Sequence, residues 1–156
     1  MLPRMTDPSP LSPNLCGASG EYFVAAELSR LGYVASLTLR NAKGIDVLAA
    51  SNDARRSVGI QVKTSQKRAK EWLLNQAADR FKPPGVFYVF VILGDAGTIP
   101  AFHVVPSRVV AEYVRTSHAA WLRTRRKDGR KHRDTPMRKF KDPKDKFLGR
   151  WDLLGL

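Results

Sequence analysis

Four side chains in this 156-residue chain have the types and spacing for metal-assisted chemistry on an anionic substrate: Glu21, Asp46, Gln61 and Lys63. Asp46 interrupts an apolar run (Ile45, Val47, Leu48, Ala49, Ala50), and Gln61 and Lys63 flank Val62 at the end of another (Val58, Ile60, Val62). Burying a carboxylate and an ammonium at the ends of two apolar strands is costly unless they pair or hold a metal. Alternation puts Gln61 and Lys63 on one face of their strand, with Val62 on the other. The polar residues 52–56 between the runs suit a hairpin, which brings Asp46, Gln61 and Lys63 to one surface. Two oxygen donors beside a lysine suit a Mg²⁺ or Mn²⁺ site holding a water to be polarised. The same residues also read as a buried structural ion pair between Asp46 and Lys63, with Gln61 as a hydrogen-bonding strand residue. Glu21, in the first turn of a predicted helix, reads either as a further oxygen donor or as a contact with the helix dipole.

The elements that must position these residues are read from periodicity. Residues 1–16 form a Pro- and Ser-rich lead-in expected to be disordered. A helix is predicted over residues 19–31, with Ser19 as cap and Gly32 as stop. A mixed-exposure strand over 33–40 follows, then a turn over 41–44 and the Asp46 and Lys63 strands. Residues 71–75 fit a strand or a helical turn equally. Residues 86–93 (Val-Phe-Tyr-Val-Phe-Val-Ile-Leu) read as a buried strand, paired through a Gly-Asp-Ala-Gly turn with a strand over 99–105. A helix over 107–123 carries its apolar face on Val109, Val110, Tyr113, Val114, Ala120 and Trp121, and is expected to pack on the sheet. The division is therefore a core over 17–125 and a basic extension over 126–156 whose apolar end docks back on it.

The formal charge of +13 points to a polyanionic partner, first of all nucleic acid. Residues 115–150 hold fourteen Lys/Arg and four acids, and so +10 of that charge. Arg123, Arg125, Arg126, Lys127, Arg130, Lys131, Arg133, Arg138 and Lys139 are the expected phosphate contacts. Residues 127–135, nearly without apolar side chains, are expected to be mobile. Phe140, Phe147 and Trp151 among the charges suit docking on the core or stacking on bases. No zinc-finger, helix-turn-helix or RNA-recognition signature is present, so contacts to backbone and shape are expected. The single cysteine, Cys16, excludes a disulfide framework within the chain and points to a reducing cytoplasm. No run approaches the ~20 apolar residues of a membrane span, so no membrane partner is expected. His103 reads as a satisfied core residue, His118 as a surface contact, and zinc is not indicated.

In chain order the pattern is a helix opening on Gly20-Glu21 and closing on Leu31-Gly32-Tyr33, a strand, Gly44-Ile45-Asp46-Val47-Leu48, then Ile60-Gln61-Val62-Lys63-Thr64-Ser65. This resembles the PD-(D/E)xK nuclease superfamily. The helix-borne Glu is similar to that of the archaeal Holliday-junction-resolvase branch, and the Gln-x-Lys ending to the branch holding a group I intron homing nuclease. The resemblance implies an α/β, restriction-endonuclease-like fold with an α-β-β-β-α-β core and a mixed sheet flanked by helices. It implies Asp46 as bridging metal ligand, Gln61 as ligand through its amide oxygen, Val62 through its carbonyl, and Glu21 directly or through water. Lys63 would orient or deprotonate the attacking water. The expected activity is Mg²⁺-dependent endonucleolytic hydrolysis of DNA, branched or structured DNA included, with a homodimer letting two sites cut two strands. Gln61 stands where the family usually has an acid, which removes one negative charge from the metal site. The competing expectations are a non-catalytic nucleic-acid-binding module on the same fold and an interaction protein whose basic surface meets an acidic one.

Overall fold

The computed structural model describes residues 10–39 and 44–156. Most of the expected lead-in (residues 1–9) and of the expected turn at 41–44 lies outside the described residues. The first helix, α1 (Pro13–Arg30), begins six residues earlier than the periodicity indicates. Ser12 is its cap, its Oγ accepting from the Leu15 amide at 3.3 Å, and Pro13 occupies the first helical position. Proline is pre-organised there, because its missing N–H is one the helix leaves unpaired anyway. Two expectations are corrected as a result. Residues 13–16 are helical, with Cys16 buried and burial pushing its thiol up. Glu21 sits in mid-helix, and no acid occupies the first turn, so the dipole reading of Glu21 falls.

Strands β1 (Val34–Leu37), β2 (Val47–Ala50) and β3 (Ser57–Ser65) form a meander in which β2 is antiparallel to both neighbours. β4 (Glu71–Asn75) leaves the sheet, and a 3-10 turn (Gln76–Asp79) leads to β5 (Val86–Ile92), parallel to β3. β6 (Ala101–Pro106) closes a mixed sheet of order β1-β2-β3-β5-β6. The long helix α2 (Ser107–Arg123) follows, and β7 (Met137–Lys141) pairs with β4 in a second, two-stranded sheet.

Alternate residues of β5 serve two cores, which is why the strand is apolar throughout. Val89 and Val91 face α1 and pack with Val24, Leu28, Ile60, Val62 and Val104. Tyr88, Phe90 and Ile92 face α2 and pack with Trp72, Val110, Val114 and Phe140. Phe140 stacks on Phe90 at 4.5 Å between ring centroids, so it is a core residue and offers no face to a base. Trp151 packs against Phe102 at 5.5 Å, and Leu154 is buried in the α1 core.

Residues 147–149 bond to β6: the Val104 amide donates to the Phe147 carbonyl at 2.9 Å, and the Gly149 amide to the Phe102 carbonyl at 2.8 Å. Beneath them His103, buried in β6, donates from Nδ1 to Asp142 Oδ2 at 2.8 Å. Asp142 also accepts the amides of Lys146 and Phe147, both at 2.9 Å. Burial works to raise this carboxyl, but His103 and the two amides outweigh it and hold it below its usual value. Among the described residues no helix is long and apolar enough to cross a membrane.

Candidate active site

The pairing of β2 with β3 stops at Val47 opposite Ile60, one residue short of Asp46 and Gln61. Asp46 is held at that fork by its backbone: its amide donates to the Ile60 carbonyl at 2.8 Å, and its carbonyl accepts the Thr38 amide at 2.9 Å. The Thr38 hydroxyl secures the preceding residue, donating to the Ile45 carbonyl at 2.6 Å. The Asp46 side chain then takes the place of the next rung of the ladder, Oδ2 accepting the Val62 amide at 2.7 Å. That bond joins Asp46 directly to the Gln61-Val62-Lys63 segment. It satisfies part of the carboxylate without neutralising its charge.

No ion pair links Asp46 to Lys63, and among the described residues Lys63 has no ion-pair partner. The structural ion pair that the sequence left open is therefore not formed. Gln61 and Lys63, half-buried, open on the α2 side of the sheet into a hollow of about 520 Å³ shared with Asn75, Arg80, Phe81 and Tyr88. Glu21 and Asp46 line a neighbouring hollow of about 330 Å³ with Thr38 and Ile45. The four residues thus occupy two adjoining hollows and not one cavity. Gly44 borders the first, and its chain neighbours Ile45 and Asp46 border the second.

Two glycines make this approach possible. A Cβ at Gly20 would lie 1.9 Å from Thr64 Oγ1, so only glycine lets α1, and with it Glu21, come down on the end of β3. Gly44 combines a φ of +79° with a Cβ position 2.9 Å from the Phe81 ring, and both exclude a larger residue.

The charge on Asp46 is felt across the fork. Tyr88, opposite Gln61 in the β3–β5 register, has its hydroxyl pKa pushed up to about 12, first by burial and then by Asp46. Tyr88, Asn75 and Arg80 had no signal marking them in the sequence. Tyr88 is hidden in the most apolar strand, and Arg80 is one cation among many. Only the register of β3 on β5 could have singled out Tyr88. Among the described residues no group of three or more His, Cys, Asp or Glu side chains gathers, so a metal here would lean on amide, carbonyl and water oxygens as well.

Of the nine expected phosphate contacts, Arg123, Arg125, Arg126, Lys127, Arg130, Lys131 and Arg133 are exposed at the end of α2 and beyond it. The stretch expected to be mobile has hydrogen bonds of its own: a bridge pairs Arg125 with Lys131, and the Arg126 amide donates to the Arg130 carbonyl at 2.9 Å. Lys139 is exposed but paired with Glu71 at 2.7 Å. Arg138 is a correction. It is 7% exposed, its Nε and Nη2 donate to Asp79 at 2.9 Å, and its Nη1 donates to the Thr135 and Met137 carbonyls. The pleat turns it into the core, where its charge is spent on Asp79 and not on phosphate.

No family model and no curated protein matches the sequence. Among solved structures, that of the bacterial homing endonuclease I-Ssp6803I superposes with a TM-score of 0.56 at 12% identity, over 92% of this chain and 91% of that chain. The fold is restriction-endonuclease-like. The archaeal Holliday junction resolvase Hjc of Archaeoglobus fulgidus superposes with a TM-score of 0.46 at 14% identity, over 81% of this chain and 84% of that chain. In this fold the fork between β2 and β3 is where Asp46, Gln61, Val62 and Lys63 meet.

Proposed function

We propose that this chain is a metal-dependent endonuclease that hydrolyses DNA phosphodiester bonds, branched or structured DNA included. One observation carries the reading. A carboxylate, Asp46, is bonded to the strand amide between Gln61 and Lys63, and Lys63 has no ion-pair partner among the described residues. A half-buried lysine that makes no ion pair among the described residues is left available to an anionic ligand. The similarity in fold to a homing endonuclease supports the same reading.

The oxygen donors at the fork fit a hard divalent cation such as Mg²⁺ or Mn²⁺. The carboxylates of Asp46 and Glu21 would hold it, with the Gln61 amide and Val62 carbonyl oxygens, and one or two carboxylates with waters suffice for such an ion. When bound, the cation supplies charge neutralisation and a more acidic water. The chain's own residues do the rest. Lys63 orients the water nucleophile and offsets the charge that grows on the phosphate oxygens, a term worth most where water is excluded. Arg80, on the rim of the same hollow, adds a second cation. The basic residues beyond α2 hold the DNA backbone. With Gln61 in place of an acid, the fork keeps Asp46 and Glu21 as its carboxylates, and a weak, millimolar-type metal requirement is expected.

The test is incubation with supercoiled plasmid, branched DNA and single-stranded DNA in Mg²⁺ or Mn²⁺. Cleavage by the natural sequence, lost in Asp46→Asn and Lys63→Ala while both remain folded, is the expected result. No cleavage of any substrate, or equal cleavage by the variants, refutes it. The scarcity of acids at the fork favours a second reading, a non-catalytic DNA-binding module on this fold. That reading predicts salt-sensitive DNA binding that survives Asp46→Ala, with no cleavage.

A further inference from the structure

A groove of about 580 Å³ runs along α2 and β7, apart from the fork, with Tyr113, His118, Trp121, Met137 and Lys139 in its walls. Periodicity assigns Trp121 to the buried face of α2, yet it is 38% exposed, and Met137 opposite is 51% exposed. The indole is nevertheless held in place. The His132 ring lies 4.1 Å from it at 33°, and the His118 ring 5.4 Å away at 29°. His118 is itself fixed, donating from Nε2 to Asp134 at 2.8 Å. The result is a pre-ordered, partly exposed aromatic surface in a groove. The run of seven exposed cations begins at Arg123, two residues beyond the indole, with only Asp128 inside it and Asp134 directly after it.

A flat aromatic surface beside a strongly positive strip matches one ligand chemistry: a nucleotide whose base is free to stack and whose phosphates need cations. Intact duplex cannot use such a groove, because its bases are already stacked inside the helix. The groove also adjoins the candidate active site. Met137 in its wall is the register partner of Asn75, which lines the Lys63 hollow, and paired strands lie only about 4.8 Å apart. We propose that the groove along α2 and β7 binds the unpaired bases of a DNA strand, with Trp121 as the stacking platform, and so selects DNA carrying a junction between duplex and single strand. This rests on the reading of DNA as the partner, but not on cleavage.

The test uses the full chain in EDTA and fluorescence anisotropy at one fixed salt concentration. It compares a labelled blunt duplex with the same duplex bearing a short oligothymidine overhang. The overhang is expected to tighten binding about tenfold, a factor within the range of base–aromatic stacking. Trp121→Ala abolishes that gain and leaves blunt-duplex binding unchanged, whereas Trp121→Phe keeps most of it. Met137→Glu, which leaves the indole in place and puts a negative charge in the groove, also abolishes it. An overhang without effect on the natural sequence, or a gain that survives both Trp121→Ala and Met137→Glu, overturns the proposal while duplex binding still supports a DNA partner. Failure to bind either DNA overturns this proposal and the DNA partner together.

Discussion

The ion pair between Asp79 and Arg138 offers a quantitative test, because it decides whether Arg138 belongs to the fold or to DNA. Three donor–acceptor contacts of 2.9–3.1 Å join the guanidinium to the Asp79 carboxylate, and the Arg138 side chain is 8% exposed against 21% for Asp79. Removing one partner of a buried pair costs about 3–5 kcal/mol, chiefly by stranding the other charge. In Asp79→Ala the stranded guanidinium keeps two carbonyl acceptors, Thr135 at 2.7 Å and Met137 at 3.1 Å. Asp134 also stands 3.9 Å from it. With these left, and Asp79 one-fifth exposed, the loss is expected at the low end, about 3 kcal/mol. For a domain of this size that lowers Tm by about 6–12 °C. Arg138→Met strands the Asp79 carboxylate instead, which at 21% exposure against 8% is closer to water, and it is expected to cost less, about 1–2 kcal/mol. Because the two residues share one interaction, Asp79→Ala combined with Arg138→Met falls short of the sum of the single losses. Urea denaturation followed by circular dichroism measures all three, and anisotropy on duplex DNA runs alongside. An Asp79→Ala loss below about 1 kcal/mol, the size of an exposed pair, would refute the reasoning. So would an Arg138→Met protein of unchanged stability that binds DNA more weakly.

Two further outcomes follow from the fork. Tyr88 holds its proton to about pH 12, while the unfolded chain releases it near 10. The folded state therefore binds more protons between these values, and the Tyr88 contribution to stability is full below about pH 10 and lost as pH rises through 12. In ultraviolet difference titration, Asp46→Asn should bring the Tyr88 transition down, because one of its two causes is removed; an unmoved transition would place Asp46 out of electrostatic reach. Gly20→Ala sets a methyl group against the β-branched Thr64, which cannot swing aside, and should cost about 1–3 kcal/mol by overpacking. Thermal melting checks this, and the combination with Thr64→Ser, one methyl smaller, should recover part of the loss.

Much of the element order could be read along the chain, where local rules decide. Residues 107–123 are the bounds of α2, because Pro106 ends β6 and the apolar period of 3.6 starts at once. The strand predicted over 86–93 is β5, one residue shorter. The start of α1 was obscured because the Ser12-Pro13 cap lies in a proline-rich stretch that reads as unstructured. Residues 71–75 could not be assigned, because five residues become a strand only when a partner exists, and that partner begins at Met137. At the site, Asp46, Gln61 and Lys63 stood out because charge and amide groups in apolar runs violate the pattern around them. The division of Glu21 and Asp46 from Gln61 and Lys63 into two hollows had no such signal, since it depends on which side of the β2–β3 fork each side chain leaves.

By itself the sequence determined the periods of its strands and helices, the positions where charge meets apolar strand ends, and the accumulation of cations after residue 115. These follow from backbone geometry and composition, which act over a few residues. Only the tertiary structure decided the partners of those charges. It gave Arg138 to Asp79, left Lys63 without an ion pair among the described residues, and kept Trp121 partly exposed on a helix whose buried residues end at Val114. A side chain's burial and its counter-charge depend on which strands end up adjacent. That adjacency is set by apolar burial summed over two whole cores, a quantity no short window of sequence contains.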